Sequence, residues 1–540
     1  MKIYKDAKKI IIQTDKVFEL NAKSLVTAHL FNDMLEDYMS RVNSYVDGPL
    51  LLEIYHKIIL DETYLNELRT DLKEEIFTIT EGFYDFWRKK EKYLICSEGS
   101  VVDISNRVNE VIINTYRLIT EGMSGKKNNV YRQLSAGFNL VLGNTKTNIF
   151  EGPLAVLNEV ICINQMVIRP PFIIRTKSNK REGIFKQTCD DIISSLEGLD
   201  DYYMLPIKVG RELALVYVSN KYLHHGVSLS SLFEVASTLE LYTLKPSLMV
   251  FFGLTDDTFD NQYQIDEVNG LYVGVVSDKD KNDYFGYMKK MLLTLHNLKK
   301  IDEGFLPIHG AMAKITFNDN RVKNVMMIGD SGAGKSETLE ALGAISAGQI
   351  KSFDIIFDDM GYMATREGNL YASGTEIGAF VRIDDLDDGY IYREFDRSIF
   401  LNPDRHNARL IIPVSMYQFI KRDHQIDMVL YINNYDDETN VLSRYEDLEK
   451  SKEVFIEGLR MAKGTTSEKG LVASFFSNPF GPVQKEMTTR FLIDKYFKML
   501  YDQDIYVGIL HTKLGIEGYS ELGPRLAAKA LLDFFNKHNT

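Results

Sequence analysis

Residues 329–336 combine residue types and a spacing that can bind phosphate. They read Gly-Asp-Ser-Gly-Ala-Gly-Lys-Ser, which fits the pattern G-x-x-x-x-G-K-[ST]. Glycines allow backbone N–H groups to surround an anion without side-chain clashes, and the start of a following helix adds unpaired donors and its dipole. Lys335 can neutralise β- and γ-phosphates, and Ser336 can bind Mg²⁺. The predicted nucleotide-binding residues are Gly329, Asp330, Ser331, Gly332, Ala333, Gly334, Lys335, Ser336 and Glu337.

The segments on either side of this loop support that prediction. Residues 325–328 are apolar and typical of a buried strand, and residues 337–342 favour a helix. A phosphate site requires a strand, a glycine-rich loop and a helix in this order, whereas a plain glycine-rich turn requires neither flanking element. We therefore expect phosphotransfer chemistry on a nucleotide.

A pair of aspartates follows the next apolar run of the chain. Residues 355–357 lead directly into Asp358 and Asp359. Burying two carboxylates at the end of an apolar strand is costly unless a metal or charged groups face them. By itself, the pair fits two solvated turn residues equally well. The phosphate loop shortly upstream favours a metal site, and strand geometry would direct only one of the two carboxylates to the metal.

Composition limits the classes of protein to be considered. A chain of 540 residues is too long to fold around one ordinary hydrophobic core, so two or three domains are expected. The net charge of −13 argues against general binding to nucleic acid or to anionic membranes. The 3 cysteines have no C-x-x-C spacing, which argues against a zinc or disulfide framework and fits a reducing cytoplasm. The N-terminus has no apolar signal core, and no run of about 18 apolar residues predicts a membrane span.

Hydrophobic periodicity divides the chain into three segments. Residues 1–92 have apolar residues at helical spacing and are expected to form packed helices. Residues 93–245 alternate short β-branched runs with polar turns, which indicates a mixed α/β lobe. Residues 246–540 are predicted to be the nucleotide- and metal-binding catalytic domain, with a helix at 284–299. Its predicted strands are 248–252, 271–276, 325–328, 355–357, 410–413 and 428–432. The expected fold class is α/β with mixed sheets.

Two segments upstream of the loop also carry residues capable of chemistry. Residues 284–290 read Tyr-Phe-Gly-Tyr-Met-Lys-Lys, and residues 306–309 read Leu-Pro-Ile-His. On residue type alone, the lysine pair fits a solvated helix face and the histidine fits a core or turn position. Together with the loop, however, the segments resemble ATP-dependent phosphoenolpyruvate carboxykinase, and more distantly HPr kinase/phosphorylase. The resemblance covers about residues 248–535.

The resemblance implies a two-lobed, carboxykinase-like catalytic core with a metal site. The spacing from Lys290 to His309 is 19 residues (309 − 290), which is similar to the family's spacing. A neutral lysine can be a ligand if a divalent cation and burial depress its pKa. The implied metal ligands are Lys290, His309, Ser336 and Asp359.

Three segments downstream of the loop follow the order seen in the family. Residues 375–378 resemble its Glu-Gly-Gly segment, residues 407–413 its Asn-Thr-Arg-x-x-Tyr-Pro segment, and residues 471–480 a segment that closes its catalytic domain. In the family, the arginine of the second segment reaches the transferred phosphoryl group, which implies Arg409 as a charge clamp. The implied catalytic residues are Lys289, Lys335, Asp358 and Arg409.

Other details favour the kinase branch or depart from both families. Residues 329–338 are closer to the HPr kinase loop, and His309 followed by Gly310 matches its His-Gly, whereas the lysine pair matches the carboxykinases. The carboxykinase segment Gly-Arg-Ser-Pro-Lys-Asp, whose arginine binds the carboxylate substrate, has no match, and residues 1–92 have no counterpart. The sequence does not choose among four arginines for that role: Arg169, Arg175, Arg181 and Arg211.

Three functions are compatible with these residues. The first is a carboxykinase that converts oxaloacetate and ATP into phosphoenolpyruvate, ADP and CO₂, with Mg²⁺ and Mn²⁺ as its metals. The second is a kinase that phosphorylates a hydroxyl of a protein or small molecule, with Asp358, Asp359 or His309 as the base. The third is a non-catalytic nucleotide sensor. The resemblance favours ATP over GTP and the carboxykinase over the other two.

Overall fold

The computed structural model is a mixed α/β protein with several mixed sheets. Ser331 of the predicted phosphate loop lies outside the described residues. Among the helices that are described, none combines the length and the apolar composition needed to cross a bilayer. The described residues are 2–5, 9–14, 29–42, 44–96, 114–119, 138–169, 171–196, 198–255, 259–330, 332–346, 348–383, 386, 397–462 and 470–537.

The described residues form α-helices and β-strands along the whole chain. The helices are His29–Met39, Gly48–Leu60, Thr70–Lys89, Leu223–Ser228, Thr238–Thr243, Phe285–Asp302, Lys335–Ile345, Tyr417–Ile420, Leu448–Glu457, Glu486–Asp502 and Leu522–Lys537. The strands are β1 (Lys2–Lys5), β2 (Lys9–Thr14), β3 (Glu91–Cys96), β4 (Leu140–Thr145), β5 (Ile161–Ile168), β6 (Phe172–Ile174), β7 (Lys186–Gln187), β8 (Tyr202–Val209), β9 (Glu212–Ser219), β10 (Glu234–Val235), β11 (Pro246–Leu254), β12 (Gln262–Asp266), β13 (Leu271–Ser277), β14 (Leu306–Phe317), β15 (Val322–Ile328), β16 (Ile350–Phe357), β17 (Met360–Arg366), β18 (Asn369–Gly374), β19 (Gly378–Arg382), β20 (Ile399–Leu401), β21 (Arg409–Pro413), β22 (His424–Gln425), β23 (Met428–Asn433), β24 (Leu442–Arg444), β25 (Leu459–Met461), β26 (Leu471–Ala473) and β27 (Tyr506–His511).

The chain divides into two compact units. The first comprises residues 1–146 and 161–172, and the second comprises residues 147–160 and 173–540. This division differs from the three segments predicted from hydrophobic periodicity. The roles assigned to those segments, such as a catalytic domain at 246–540, remain predictions. The predicted boundary at 245/246 coincides with the start of β11, a strand inside a sheet of the second unit.

The first unit contains both helices and strands. Its strands follow the order β1-β2-β3-β4-β5, and β2, β3 and β4 are mutually parallel. Its helices pack through apolar side chains, for example Phe31 edge-on to Phe83 with ring centroids 5.2 Å apart. The segment 1–92 was expected to be helical, yet it also contains β1, β2 and the start of β3. A short apolar run such as residues 10–12 has too few residues for its period to distinguish a strand from a helix.

One sheet of the second unit supports the helix that bears the lysine pair. Its order is β8-β9-β11-β13-β12-β7, with β9, β11 and β13 parallel. Both faces of these strands are covered, so β11 is buried at every position after Pro246 and reads as a continuous apolar run. The helix Phe285–Asp302 packs against β11 and β13, which confirms the helix predicted at 284–299.

The second sheet of this unit carries the predicted phosphate loop. Its order is β22-β18-β17-β14-β15-β23-β27-β24, with β16 also paired to β14. β15, β23 and β27 are parallel neighbours, so their carboxyl ends lie at one edge of the sheet, where the loop follows β15. The strands predicted at 325–328, 355–357 and 428–432 are confirmed as parts of β15, β16 and β23.

The long strand β14 was not predicted, and it organises the site. On one side it pairs with β15, and on the other it pairs first with β17 and then with β16. A third sheet places β21 between β19 and β20, both antiparallel to it. The strands predicted at 248–252, 271–276 and 410–413 are also confirmed, as parts of β11, β13 and β21.

Candidate functional site

The glycine-rich loop has the backbone conformation that its glycines predict. It connects β15 to the helix Lys335–Ile345. Gly332 has φ 80° and Gly334 has φ 100°, a region that side-chain-bearing residues rarely occupy. A Cβ at Gly334 would also lie 2.8 Å from the Thr512 Oγ1 atom. The strand, loop and helix therefore occur in the order that a phosphate site requires, although phosphate binding itself stays a prediction.

Side chains from neighbouring strands fix this loop from outside. Thr512 Oγ1 donates to the Ala333 carbonyl at 2.7 Å, and Asn434 Nδ2 donates to the Gly332 carbonyl at 3.0 Å. The buried Arg460 guanidinium donates from Nε to Asp330 Oδ2 at 2.8 Å. Because each contact ends on the loop, its shape is set by the packed sheet edge and not by the loop sequence alone.

The lysine and serine of the motif face inward, toward groups of the same site. Lys335 is buried, and its Nζ donates to the carbonyls of Gly329 at 2.7 Å and Asp330 at 3.0 Å. Ser336 Oγ donates to Asp358 Oδ1 at 2.9 Å. A serine hydroxyl joined to a carboxylate beside a phosphate loop is the pair of oxygen ligands that Mg²⁺ takes in nucleotide sites.

The two aspartates form a two-residue interruption between β16 and β17, both of which pair with β14. The register sets Phe357 opposite Met312 and Met360 opposite His309, and the Asp359 carbonyl accepts the Gly310 N–H at 3.0 Å. Asp358 and Asp359 consequently project to different partners: Asp358 contacts Ser336, and Asp359 contacts Lys289 and His309. Burial, with the charge of Asp359 acting in the same direction, raises the pKa of Asp358 to about 6.

Asp359 is the centre of a cluster of cationic and imidazole groups. Its Oδ1 lies 3.0 Å from His309 Nε2, and its Oδ2 lies 2.8 Å from Lys289 Nζ and 2.5 Å from Lys290 Nζ. Although burial opposes it, the Lys289 and Lys290 charges hold the pKa of Asp359 well below its usual value. The predicted ligands Lys290, His309 and Asp359 are thus brought together within direct contact distance.

The two lysines of the pair have different surroundings. Lys289 is buried and lies 2.8 Å from Glu376 Oε1 as well as from Asp359. The neighbouring Asp359 and Glu376 charges hold the pKa of Lys289 above its usual value, against the effect of burial. Lys290 is also mostly buried, with its Nζ 4.6 Å from the Phe480 ring centroid, and burial lowers its pKa. Lys290 is therefore the better of the two as a neutral amine ligand.

His309 has its two ring nitrogens between two acceptors. Nδ1 lies 2.6 Å from the Ser477 carbonyl oxygen, which can only accept, so we assign the ring proton to Nδ1. Burial lowers the pKa of His309, which favours the neutral ring. The Nε2 lone pair then faces the Asp359 carboxylate, an arrangement that a cation between the two acceptors would stabilise. A carbonyl on the far nitrogen is also the usual support of a metal-binding histidine.

The loop, both aspartates and Arg409 border one cavity of about 120 Å³. The Arg409 guanidinium stacks 5.5 Å from the Phe380 ring centroid. Its Nε is buried, with no hydrogen-bond partner among the described residues. A guanidinium at the border of a phosphate-loop cavity can pair with an anion held there. The structure thus brings the predicted charge clamp to the loop.

A second, larger cavity of about 480 Å³ adjoins the first, because Asp359, Phe380 and Arg409 border both. Arg181 and Lys290 also line it. The Arg181 guanidinium stacks over Phe480, 4.9 Å from the ring centroid. Of the four arginines that the sequence left open as carboxylate-binding residues, Arg181 is therefore the one that lines this cavity.

Those three arginines do not line either cavity. Arg175 lies 3.6 Å from Asp404, and Arg211 pairs with Asp423 at 2.6 Å. Arg169 belongs to the first unit, where its backbone N–H donates to the Asn139 carbonyl. The polar partners of Arg175 and Arg211 lie elsewhere, so the geometry gives these two arginines no role at this site.

Several site residues were not predicted individually. Glu376 lies in the segment compared with Glu-Gly-Gly, but its contact with Lys289 depends on pairing between distant elements. Burial raises the pKa of Glu376 to about 7. Phe480 lies in the segment 471–480 compared with the family, but no role was predicted for it. Arg460 and Phe380 had no signal, because an arginine or phenylalanine in a short strand has no spacing that distinguishes it from surface or core.

No family model matches the chain, and no curated protein matches it. The fold and the site therefore define it as a mixed α/β protein. Its glycine-rich strand–loop–helix faces a cluster of carboxylate, lysine and histidine side chains.

Proposed function

We propose that the chain is an ATP-dependent phosphotransfer enzyme of the phosphoenolpyruvate carboxykinase type, with a two-lobed core, acting in the cytoplasm. One observation carries the proposal. Lys335, Ser336, Asp358, Asp359 and Arg409 border a single cavity, and Asp359 in turn contacts Lys290 and His309. Phosphate-binding groups, two sets of metal-ligand atoms and a guanidinium are the parts that phosphoryl transfer requires.

Each set of residues has a role in this proposal. The loop and Lys335 hold the β- and γ-phosphates of ATP, and Ser336 with Asp358 holds Mg²⁺. Lys290, His309 and Asp359 fit a second divalent ion such as Mn²⁺, since they offer an amine of lowered pKa, an imidazole lone pair and a carboxylate. When bound, that ion supplies Lewis-acid stabilisation of an enolate oxygen.

The chemistry balances without a general base. Oxaloacetate loses the carboxylate β to its ketone as CO₂, and the electron pair of the broken C–C bond becomes the enolate of pyruvate. The enolate oxygen then attacks the γ-phosphorus of ATP, and ADP leaves. Lys335 and Arg409 neutralise the charge that spreads over the transferred phosphoryl oxygens. Arg181, across the larger cavity, orients the remaining carboxylate of the substrate.

The test is direct conversion of the proposed substrates. Purified full-length protein with ATP, Mg²⁺, Mn²⁺ and oxaloacetate should form phosphoenolpyruvate and ADP in equal amounts, measured by ³¹P NMR. Pyruvate kinase and lactate dehydrogenase, added after the reaction is quenched, give an independent count of the product. If ATP binds but no phosphoenolpyruvate forms with any common divalent metal, the carboxykinase proposal is wrong.

A kinase that acts on a hydroxyl is the second candidate, because of Asp358. The raised pKa of Asp358, about 6, suits a base that works near neutral pH. Asp358 also accepts a hydrogen bond from Ser336, the last residue of the phosphate loop. This reading agrees with the loop sequence, which is closer to that of HPr kinase. It predicts phosphate transfer from [γ-³²P]ATP to a serine-bearing protein or a small alcohol in the absence of oxaloacetate. Nucleotide binding without transfer to any acceptor would instead favour the sensor.

A further inference from the structure

A second group of metal-ligand side chains lies in the same unit. Among the described residues, His224, His225 and Asp283 are the one group of His, Cys, Asp or Glu side chains whose ligand atoms all lie within 4.8 Å of one another. His225 Nε2 lies 3.0 Å from Asp283 Oδ1, and His224 Nε2 lies 4.0 Å from the same oxygen. His225 is fully buried, and the other two are 8% exposed. None of the three lines either cavity of the phosphate-loop site.

We propose that His224, His225 and Asp283 bind a transition-metal ion of the Zn²⁺ class through two imidazole nitrogens and one carboxylate oxygen. Ligand atoms in a tetrahedral zinc site are about 3.3 Å apart, given bonds of about 2.0–2.1 Å. His225 and Asp283 already have nearly this separation. His224 Nε2 is 4.0 Å from the same oxygen, and the three ligand atoms lie within 4.8 Å of one another, so His224 must move by about 1 Å or more for the three to share an ion. Three protein ligands leave a fourth position for water.

The surroundings orient two of the three ligands. The second carboxylate oxygen of Asp283, Oδ2, accepts the Lys177 N–H at 2.9 Å, so Oδ1 is left directed at the histidines. The His225 ring stacks on Tyr222 with an interplanar angle of 15° and packs edge-on against Phe252. Hydrogen-bonded carboxylates and packed imidazoles are typical of ligands held in place for a metal.

A hydrogen bond from His225 to Asp283 would account for their distance without a metal. It would not require a second imidazole within 4.0 Å of the same carboxylate oxygen. Two neighbouring histidines of one short helix, Leu223–Ser228, direct their rings at a single buried oxygen, with ring centroids 4.3 Å apart. Convergence of this kind favours a shared cation over a single hydrogen bond.

The proposed ion would also stabilise one wall of the larger cavity. Asp283 accepts the Lys177 N–H through Oδ2, and its backbone carbonyl accepts the Ser178 N–H at 3.2 Å. Arg181, which lines the larger cavity, follows three residues later. A metal on Asp283 would therefore help to hold the segment that presents Arg181.

The experiment separates this ion from any metal at the phosphate loop. Full-length Asp359→Asn protein, which lacks the carboxylate central to that site, is stripped with a chelator and titrated with Co²⁺ without nucleotide. We expect one equivalent to bind and to give the strong visible bands of tetrahedral cobalt. His224→Gln and Asp283→Asn, each in the same background, should lose them. His424→Gln is the matched control, because this mostly buried histidine is held by Phe419 and not by metal-ligand side chains: its Nε2 lies 2.9 Å from the Phe419 carbonyl oxygen, and its ring packs edge-on against the Phe419 ring.

Three results would overturn the proposal. The first is the absence of tetrahedral Co²⁺ bands in the Asp359→Asn protein, a result that does not depend on whether the other variants fold. The second is bands that persist in His224→Gln, which would locate the ion elsewhere. The third is a rate of tryptic cleavage within residues 177–181 that is the same with and without metal, because a bound ion should slow it. None of these outcomes depends on the carboxykinase assay.

Discussion

Replacing Asp358 by asparagine should stabilise the protein while it abolishes phosphoryl transfer. Burial raises the pKa of this carboxyl to about 6, whereas an aspartate in an unfolded chain titrates near about 3.9. The difference of about 2 in pKa corresponds to about 3 kcal/mol, by which the ionised form opposes folding. The asparagine amide accepts the Ser336 hydrogen bond more weakly than the carboxylate does, and this loss reduces the gain in stability by about 1 kcal/mol. The expected net gain at neutral pH is therefore about 2 kcal/mol.

The pH dependence follows from the sign of the pKa difference. Because the folded pKa lies above the unfolded one, the folded state binds the proton more tightly, and stability falls as pH rises from about 4 to about 6. Above about pH 6 Asp358 is ionised in the folded wild type, so the full destabilisation of about 3 kcal/mol applies. Asparagine is neutral throughout, so its advantage should be full above about pH 6 and absent below about pH 4.

Calorimetric unfolding of the metal-free proteins between about pH 4 and pH 8 tests this reasoning. We expect the midpoint of the second unit to rise by about 2–4 °C in Asp358→Asn at neutral pH. Asp354→Asn is the matched control, since Asp354 is an exposed aspartate on the same strand, β16, and should change little. A variant that is no more stable than wild type at neutral pH, or whose gain persists unchanged at low pH, would refute the argument.

Four further variants test separate parts of the site. Lys335→Ala should leave the fold intact and lower kcat by about 10²–10³, so wild-type turnover would reject the placement of the site. Arg181→Ala should raise KM for a carboxylate acceptor by about 10-fold or more with KM for ATP unchanged, and Arg175→Ala should change neither. His309→Ala should raise the Mn²⁺ concentration needed for half-maximal activity at least about tenfold, and an unchanged requirement would mean that His309 is structural. Gly334→Ala should destabilise the protein by about 1–3 kcal/mol, because φ 100° is unfavourable for alanine and its Cβ would clash with the Thr512 side chain. The thermal unfolding midpoint measures this effect, and an unchanged midpoint would contradict it.

Elements with strong local signals were predictable. The loop glycines, the buried strand before them and the helix after them are adjacent in sequence, so their pattern is visible directly in the chain. The helix Phe285–Asp302 was predicted from its period alone. β1 and β2 were missed, because short apolar runs within a helical stretch do not reveal their pairing partners.

The contacts that create the metal-ligand cluster were less accessible. Lys290 and Asp359 are 69 residues apart, and only the register of β14 with β16 and β17 brings Asp359 beside His309. Family resemblance suggested Lys290 and His309 as ligands, whereas the aspartate pair was inferred from its position after an apolar run near the phosphate loop. The choice of Arg181 over the other arginines also depended on which side chains border one cavity.

The sequence by itself determined the loop between 329 and 336 and its flanking elements, because backbone conformation there depends on neighbouring residues. Only the tertiary structure decided which carboxylate faces Ser336, which lysine lies between Asp359 and Glu376, and which arginine reaches the larger cavity. These outcomes depend on strand register and burial, which arise from pairing between segments far apart in the chain. Burial then raises the pKa values of Asp358 and Glu376. These shifts depend on the folded surroundings and cannot be deduced from the residue type.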